Sequence, residues 1–491
     1  MTERARGARS ERSRSLFLAL DQGGHASRAI LFDRRGRIVA AAKRAVATRR
    51  IGPHRVEHDP EEMVTSFKEA IASVLAAIPR SSRIEAAGLA TQRSSLVCWD
   101  RLSCMPLSPV LSWQDRRTHA WLRRLGASAA SVHRRTGLVL SPHYGASKLR
   151  WCLDHLPAVR RAASAGTLAW GPLASFLTFR LLAERPHLVD PVHASRTLLW
   201  SLRRNAWDPG LLALFGLPAA PLPEIVPNLH PFGTLIASGR RIPLRLVIGD
   251  QPAAIFAPGR LEPDVAHLNI GTGAFVQRPC HRPLRAAKLL TGVVLVSGRG
   301  SIYALEGTVN GAGSAIAWAT TRLGLATRAA EREMPAWLAA SDSPPLFLNG
   351  ISGLGAPFWV PDFRSRFVGS GSSAEKLVAV VESIAFLAQA NLDAMGRRLP
   401  PPRRLRITGG FSSLDGLCRR MASLSGLVVE RPRDHEATAR GIAWLLAANP
   451  AGWRESTPAD RFLPAADLAL RERYRRWRRA LGDAITATRR C

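Results

Sequence analysis

What the chain lacks narrows its class before any motif is read. No apolar run reaches the roughly 18 residues that a membrane span needs. The first fifteen residues, MTERARGARSERSRS, mix arginine with glutamate and lead into LFLAL without the apolar core of a signal peptide. A cytoplasmic, soluble protein with a basic tail over residues 1–14 is expected. The six cysteines, at 98, 104, 152, 280, 418 and 491, form neither a CxxC pair nor a cluster with histidine. That spacing suggests neither a zinc site nor a disulfide framework and suits free thiols in a reducing compartment. Acidic residues are scarce, 37 Asp and Glu against 69 Lys and Arg, for a formal net charge of +32. The arginines are scattered from end to end and form no stripe with interleaved aromatics, so no specific nucleic-acid partner is expected. A basic surface that attracts phosphorylated small molecules is the better inference.

At 491 residues the chain is too long for one core and divides into two domains, and 46% hydrophobic content suits globular packing. In LALDQGGHASRAILFD, residues 18–33, an apolar strand runs to Asp21, a turn carries Gly23 and Gly24, and a second strand runs from Arg28 to Asp33. A hairpin tip without side chains can bring backbone N–H groups against an anion, and the neighbouring carboxylate can hold a metal or its waters. An ordinary turn with a surface Asp is the alternative. The pattern recurs in VAHLNIGTGAFVQ, residues 265–277, with Asn269 in the place of Asp21 and Gly271, Thr272 and Gly273 at the turn. Two such hairpins argue for two halves built on one plan.

Between the hairpins, residues 36–47 read as a third strand and 57–78 as a helix with Asp59 and Pro60 at its start. Residues 84–92 and 95–99 read as strands with Arg93 and Ser94 at the turn between them, giving a mixed sheet with a crossover helix. At 110–125 a strand passes into a helix, with Trp113, Gln114 and Asp115 at the junction, where Asp115 either faces a cleft or caps the helix. A buried strand in 244–257 stops at Gly249 and presents Asp250 and Gln251 at a helix start, a place that suits a general base or a plain N-cap. In the second half, helices are expected over 310–324, 374–396 and from 436. A strand, a double glycine at 409 and 410 and a helix follow one another from 405, and the arginine-rich segment 468–489 reads as a surface helix.

With these pieces in place the chain resembles the FGGY carbohydrate kinases, and among them is most similar to the glycerol kinases. The segments LALDQG, VEHDPEEM, TQR, WQDRRT, TGLVLSPHYGASKLRW, ASRTLLW, GDQPAAIF, NIGTGAF, YALEG, GLGAPFW and VERPRDHEATARG carry the likeness in the family's order. The resemblance implies an α/β fold of two actin-like ATPase (RNase H-like) domains facing across a cleft. It places a polyol-side domain over 15–256 and a nucleotide-side domain over 257–491. It implies transfer of the γ-phosphoryl group of ATP, with Mg2+, to a primary hydroxyl of a small polyol or sugar, glycerol first. Asp250 matches the catalytic base and Asp21 the magnesium-associated carboxylate. Arg93, Ser94, Trp113, His143, Asp250 and Gln251 match polyol-contacting positions. Gly23, Gly24, His25, Ser27 and Arg28 match the first phosphate loop, Gly271, Thr272 and Gly273 the second, and Gly313 and Gly410 the adenosine side. A homo-oligomer with no membrane attachment is expected.

The chain departs from the family where phosphate and polyol are held. Gly24, His25 and Ala26 stand where hydroxyl residues are usual, Ser94 replaces a glutamate and His143 a tyrosine. Ala317, Thr408 and Leu414 replace a glutamine, an aspartate and an asparagine on the nucleotide side. These losses raise a second expectation, a catalytically impaired homologue that binds a ligand or acts as a regulator.

Overall fold

The computed structural model describes residues 15–126, 128–298, 300–341, 343–433, 436–448, 453 and 459–490; the basic tail expected at 1–14 lies outside them. The described chain groups into two compact units. The first comprises residues up to Leu261 together with Gly292–Tyr303 and Glu436–Glu455, and the second comprises Glu262–Thr291, Ala304–His435 and the residues from Ser456.

The first unit is built on β1 (Ser15–Gln22), β2 (Ala26–Asp33), β3 (Ile38–Ala45), α1 (Pro60–Ala76), β4 (Arg83–Thr91), β5 (Leu229–Ala237), β6 (Arg240–Gly249) and α2 (Asp250–Ile255). The hairpin, third strand and helix expected from the sequence are all present. Asp59 accepts from the N–H groups of Glu61 and Glu62, and Pro60 opens the helix. Met63, Val64, Phe67, Ala70, Ile71, Val74 and Leu75 recur at helical spacing and are buried against the sheet. Each large side chain of that face contributes roughly 1.5–3 kcal/mol by leaving water. The sheet order is β5-β6-β4-β1-β2-β3, with β6, β4 and β1 mutually parallel where they adjoin and β1-β2 and β2-β3 antiparallel. Omitting β5, this is the RNase H-like arrangement. A five-stranded sheet, running Arg49–Ile51, Arg55–His58, Val110–Leu111, Leu96–Asp100 and Leu168–Pro172 in spatial order, carries the loops after β4.

The second unit repeats the plan with β7 (Val265–Ile270), β8 (Ala274–Cys280), β9 (Leu290–Ser297), β10 (Gly300–Val309), α3 (Gly313–Arg322), α4 (Ser373–Gly396), β11 (Arg404–Thr408), α5 (Asp415–Ser425), β12 (Val428–Arg431), β13 (Asp460–Phe462) and α6 (Leu468–Arg490). The strand order is β9-β10-β8-β7-β11-β12-β13, with β7 parallel to β11 and β11 to β12. Residues 292–303 of β9 and β10 group with the first unit.

The helix expected over 374–396 is α4, which is long and apolar enough to cross a membrane. Its length lies almost wholly buried in the core of the second unit, started by a Ser372–Glu375 capping box. The arginine-rich α6 is not simply a surface helix. Leu470, Trp477, Leu481 and Ala484 are buried, Trp477 Nε1 donates to Phe347 O at 3.0 Å, and Arg473 is buried against Glu382 of α4 at 2.7 Å. The arginine count concealed an apolar stripe at helical spacing.

Candidate active site

Three neighbouring parallel strands, β1, β4 and β6, end on the same edge of the first sheet. The register pairs Asp21 with Ala90, Gln22 with Thr91 and Gly249 with Thr91. Asp21, the turn Gln92-Arg93-Ser94 and the pair Asp250-Gln251 are therefore brought side by side, although they are spread over 230 residues of sequence. Carboxyl edges of parallel strands are where such sheets place ligand chemistry.

Asp21 is buried, and its Oδ2 accepts from Arg28 at 2.9 Å across the β1-β2 pair. Burial pushes its carboxyl up to about 7 against the pull of Arg28, with Asp250 and Glu436 pushing the same way. Glu436 lies 3.8 Å from Arg28 Nε. Asp250 is the first residue of α2, and the capping position belongs to Gly249, so the plain N-cap alternative does not hold. Burial raises the Asp250 carboxyl while Arg93 lowers it. Its Oδ1 accepts from Gln251 N at 2.8 Å. Arg93 donates to Gln251 Oε1, and its aliphatic stem lies so close to Gly249 that a Cβ there would stand 2.7 Å from Arg93 Cδ. Glycine at 249 is what lets the arginine lie flat against the strand end.

The turn after β4 is held from behind. Ser94 is non-glycine at φ +67°, and its Oγ is buried without a hydrogen-bond partner among the described residues. Lys148, fully buried, donates to Ser94 O at 3.1 Å, Ser112 O at 2.7 Å and His143 O at 2.9 Å. Burial pushes its amine down to about 7, yet three carbonyls need the three N–H groups of an ammonium. The Trp113 and His143 rings meet edge to face at 5.6 Å, and Tyr144 packs behind His143 at 4.9 Å. Burial first, then Lys148, Arg196 and Arg93, hold the His143 imidazole well below its usual pKa and therefore neutral. Asp115 neither caps a helix nor faces a cleft. It is buried, accepts from Val56 N at 2.8 Å and pairs with Arg117 at 2.7 Å.

The first glycine turn closes through Gly23 N to Ala26 O at 3.0 Å and leaves Gly24 and the exposed His25 at its tip. Ser27 is a correction. It is fully buried, with Oγ 2.8 Å from Gln22 Oε1 and 2.6 Å from Ser66 Oγ, so its hydroxyl braces the hairpin from inside and does not face a ligand. Strand alternation explains this, because Arg28, one residue on, points to the opposite face.

In the second unit, Gly271 N donates to Gly273 O at 2.8 Å, leaving Thr272 exposed. The N–H groups of Ala312 and Ser314 reach Thr272 O at 3.1 Å each, and Gly313 N reaches Gly271 O at 3.0 Å. A Cβ at Gly313 would lie 2.2 Å from the Phe411 ring. Gly409, at φ +92°, would press a Cβ within 2.4 Å of Ile270 O, whereas Gly410 faces open space. Asn269 and Thr408, paired in register, are joined by a 3.1 Å hydrogen bond.

Several residues escaped the sequence reading. Thr91 Oγ1 lies 2.9 Å from His193 Nε2, His193 Nδ1 lies 2.5 Å from Asp190 Oδ2, and Asn228 Nδ2 donates to Asp190 Oδ1 at 2.8 Å, all buried beneath the strand edge. The Asp-Pro start at 190–191 repeats the signal at 59–60 and could have located this helix, but not its partners. Lys148 stood among apolar helix positions, and Gln92 stood inside a quoted motif without a role.

Comparison with known proteins follows this geometry. Residues 16–256 match the N-terminal domain of the FGGY family of carbohydrate kinases and residues 266–449 its C-terminal domain. The glycerol kinase of Alkalilimnicola ehrlichii is 39% identical over 490 residues, covering 95% of this chain and 98% of that protein. That of Rhodospirillum rubrum is 36% identical over 487 residues, at 95% and 98% coverage. Among solved structures, Plasmodium falciparum glycerol kinase with ADP superposes with a TM-score of 0.85 at 22% identity, over 96% of this chain and 98% of that one. The xylulose kinase of Rhodospirillum rubrum does so at 0.84 and 21%, with the same coverage. Matched along nearly its whole length by both domains, the chain belongs to the FGGY family of carbohydrate kinases.

Proposed function

We propose that the protein is an ATP-dependent kinase of a small polyol, converting glycerol to glycerol 3-phosphate. The observation that carries this reading is the shared strand edge that sets Asp250 beside Arg93, Gln251 and Asp21, with the buried Gln92 carboxamide and Ser94 hydroxyl between them unpaired among the described residues. Phosphoryl transfer asks for positioning and charge neutralisation more than covalent chemistry. Arg93, Ser94 and Gln251 orient the acceptor's hydroxyls, and Trp113 with neutral His143 gives its carbon face an apolar wall. As the acceptor oxygen bonds to the γ-phosphorus and the bond to the β-phosphate oxygen breaks, Asp250 takes the hydroxyl proton. Burial raises the proton affinity of this carboxylate against the pull of Arg93, which suits a group that takes up the hydroxyl proton. Arg28 offsets negative charge on the transferred group. The Gly271-Thr272-Gly273 turn, Gly313 and Gly410 form the nucleotide side.

Mg2+ fits the donor set, since it binds through one or two carboxylates plus phosphates and water, and Asp21 with Asp250 nearby provides them. When bound, the ion would neutralise phosphate charge. It would also favour an ionised Asp21. A cytoplasmic setting is supported by the free thiols of Cys98, Cys104, Cys152, Cys280 and Cys418.

The test is a coupled ADP-release assay with saturating Mg-ATP and a panel of polyols, trioses and pentuloses. Glycerol should give the highest kcat/KM. Preference for a sugar would replace the substrate, and a folded protein without turnover on any acceptor would sink the kinase in favour of a binding or regulatory homologue. Asp250→Asn should lower kcat by roughly 10²–10⁴-fold, the span of a general base, with acceptor binding retained.

A further inference from the structure

Gln92 has a buried carboxamide, 3% exposed, whose Nε2 and Oε1 both lack hydrogen-bond partners among the described residues. An amide buried with both ends unpaired loses its hydration without return, so the arrangement points to a ligand that comes and goes. Its place is well defined. The Gln92 backbone N–H donates to Gln22 O at 3.0 Å, and a Cβ built on Gly24 would lie 3.8 Å from Gln92 Oε1. The carboxamide therefore sits under the tip of the first glycine turn. A serine or threonine at 24 would carry its hydroxyl one bond beyond that Cβ, into hydrogen-bonding reach of Gln92. Glycine at 24 provides no side-chain hydroxyl to pair with the amide.

We propose that the Gln92 carboxamide contacts the transferred phosphoryl group, standing in for the hydroxyls missing from Gly24, His25 and Ala26. The inference rests on the kinase reading above. An Nε2–H donor adds a hydrogen bond to a phosphoryl oxygen without adding charge beside the Asp21–Arg28 pair.

The experiment uses the full chain and Gln92→Leu, which keeps much of the side chain's bulk and removes its polar atoms. Affinities for ADP and for the non-hydrolysable triphosphate AMP-PNP are measured by calorimetry, beside kcat, acceptor KM and Tm. The AMP-PNP affinity and kcat should fall about tenfold to a hundredfold, as for a lost hydrogen bond to a charged group, while ADP affinity, acceptor KM and Tm hold. Gly24→Ser introduced into Gln92→Leu should recover most of the loss. A Gln92→Leu protein that binds AMP-PNP and ADP in the parent's ratio overturns the proposal, because a spacer would affect both nucleotides alike. A parent protein that binds nucleotide and turns over but ignores Gln92→Leu removes this inference alone. A parent that binds no nucleotide removes the kinase reading with it.

Discussion

At the scale of single residues, Asp21 is held in a state that favours the proton. Its folded pKa, near 7, lies above the ordinary carboxylate value of 3.8. The folded chain therefore binds this proton more tightly than the unfolded chain. The resulting stability is fully present below about pH 4 and is lost as pH rises through 7. Asp21→Asn should remove that loss, raising stability at pH 8 by roughly 1–4 kcal/mol relative to the parent protein, with the difference closing toward pH 4. Thermal melts across pH without Mg2+ measure it. A variant less stable than the parent at pH 8 would mean that the Arg28 pair outweighs burial. Activity should be lost in the same variant. The residue that destabilises the empty protein is then the one the reaction needs.

At the scale of elements, close packing fixes Asp250. The helix Ala437–Leu446 lies against α2 so closely that a Cβ at Gly441 would come within 1.8 Å of Ala253 O, and Thr438 Oγ1 reaches Asp250 O at 3.3 Å. Gly441→Ala must displace backbone on one side, and an overpacking cost of about 1–3 kcal/mol is expected together with a fall in kcat. Gly410→Ala is the contrasting case. Nothing lies within 4 Å of the added carbon, so Tm should stay while KM for ATP rises. Steady-state kinetics beside melting curves separate the two. Lys148→Met should leave the carbonyls of Ser94, Ser112 and His143 short of a donor. It should cost on the order of 2–4 kcal/mol and raise acceptor KM, because those carbonyls belong to the turns that carry the pocket.

Across the whole molecule, some arginines pair locally with carboxylates, but 37 acidic residues cannot offset 69 basic ones and the net charge stays at +32, spread along the chain. Arg404 and Arg406 pair with Glu430 at 3.2 Å each, and Arg431 pairs with Asp460 at 2.7 Å. Binding to duplex DNA in low salt should therefore be nonspecific and vanish by physiological salt, which a filter-binding titration against ionic strength would record. Both hairpins, the capped α1 and the strand-to-helix junction at Asp250 were legible in the sequence because each is a local pattern: alternation, a cap residue, glycine at a turn. What stayed hidden was contact between distant positions. Nothing in residues 190–193 names Thr91 or Asn228 as partners, and nothing in Ser27 says that its hydroxyl turns inward to Ser66. Composition also misled at α6, where placement against the core is decided by the neighbours the helix meets.

The grouping of Glu436–Glu455 with the first unit has a consequence for how the protein comes into being. On the ribosome, β1, β4 and β6 emerge long before the helix that backs α2. Until residue 446 has been made, Asp250 lacks the surface that holds it, and by then all of the second unit but β13 and α6 has been synthesised. Asp250 is translated halfway along the chain and is among the late residues to be finished.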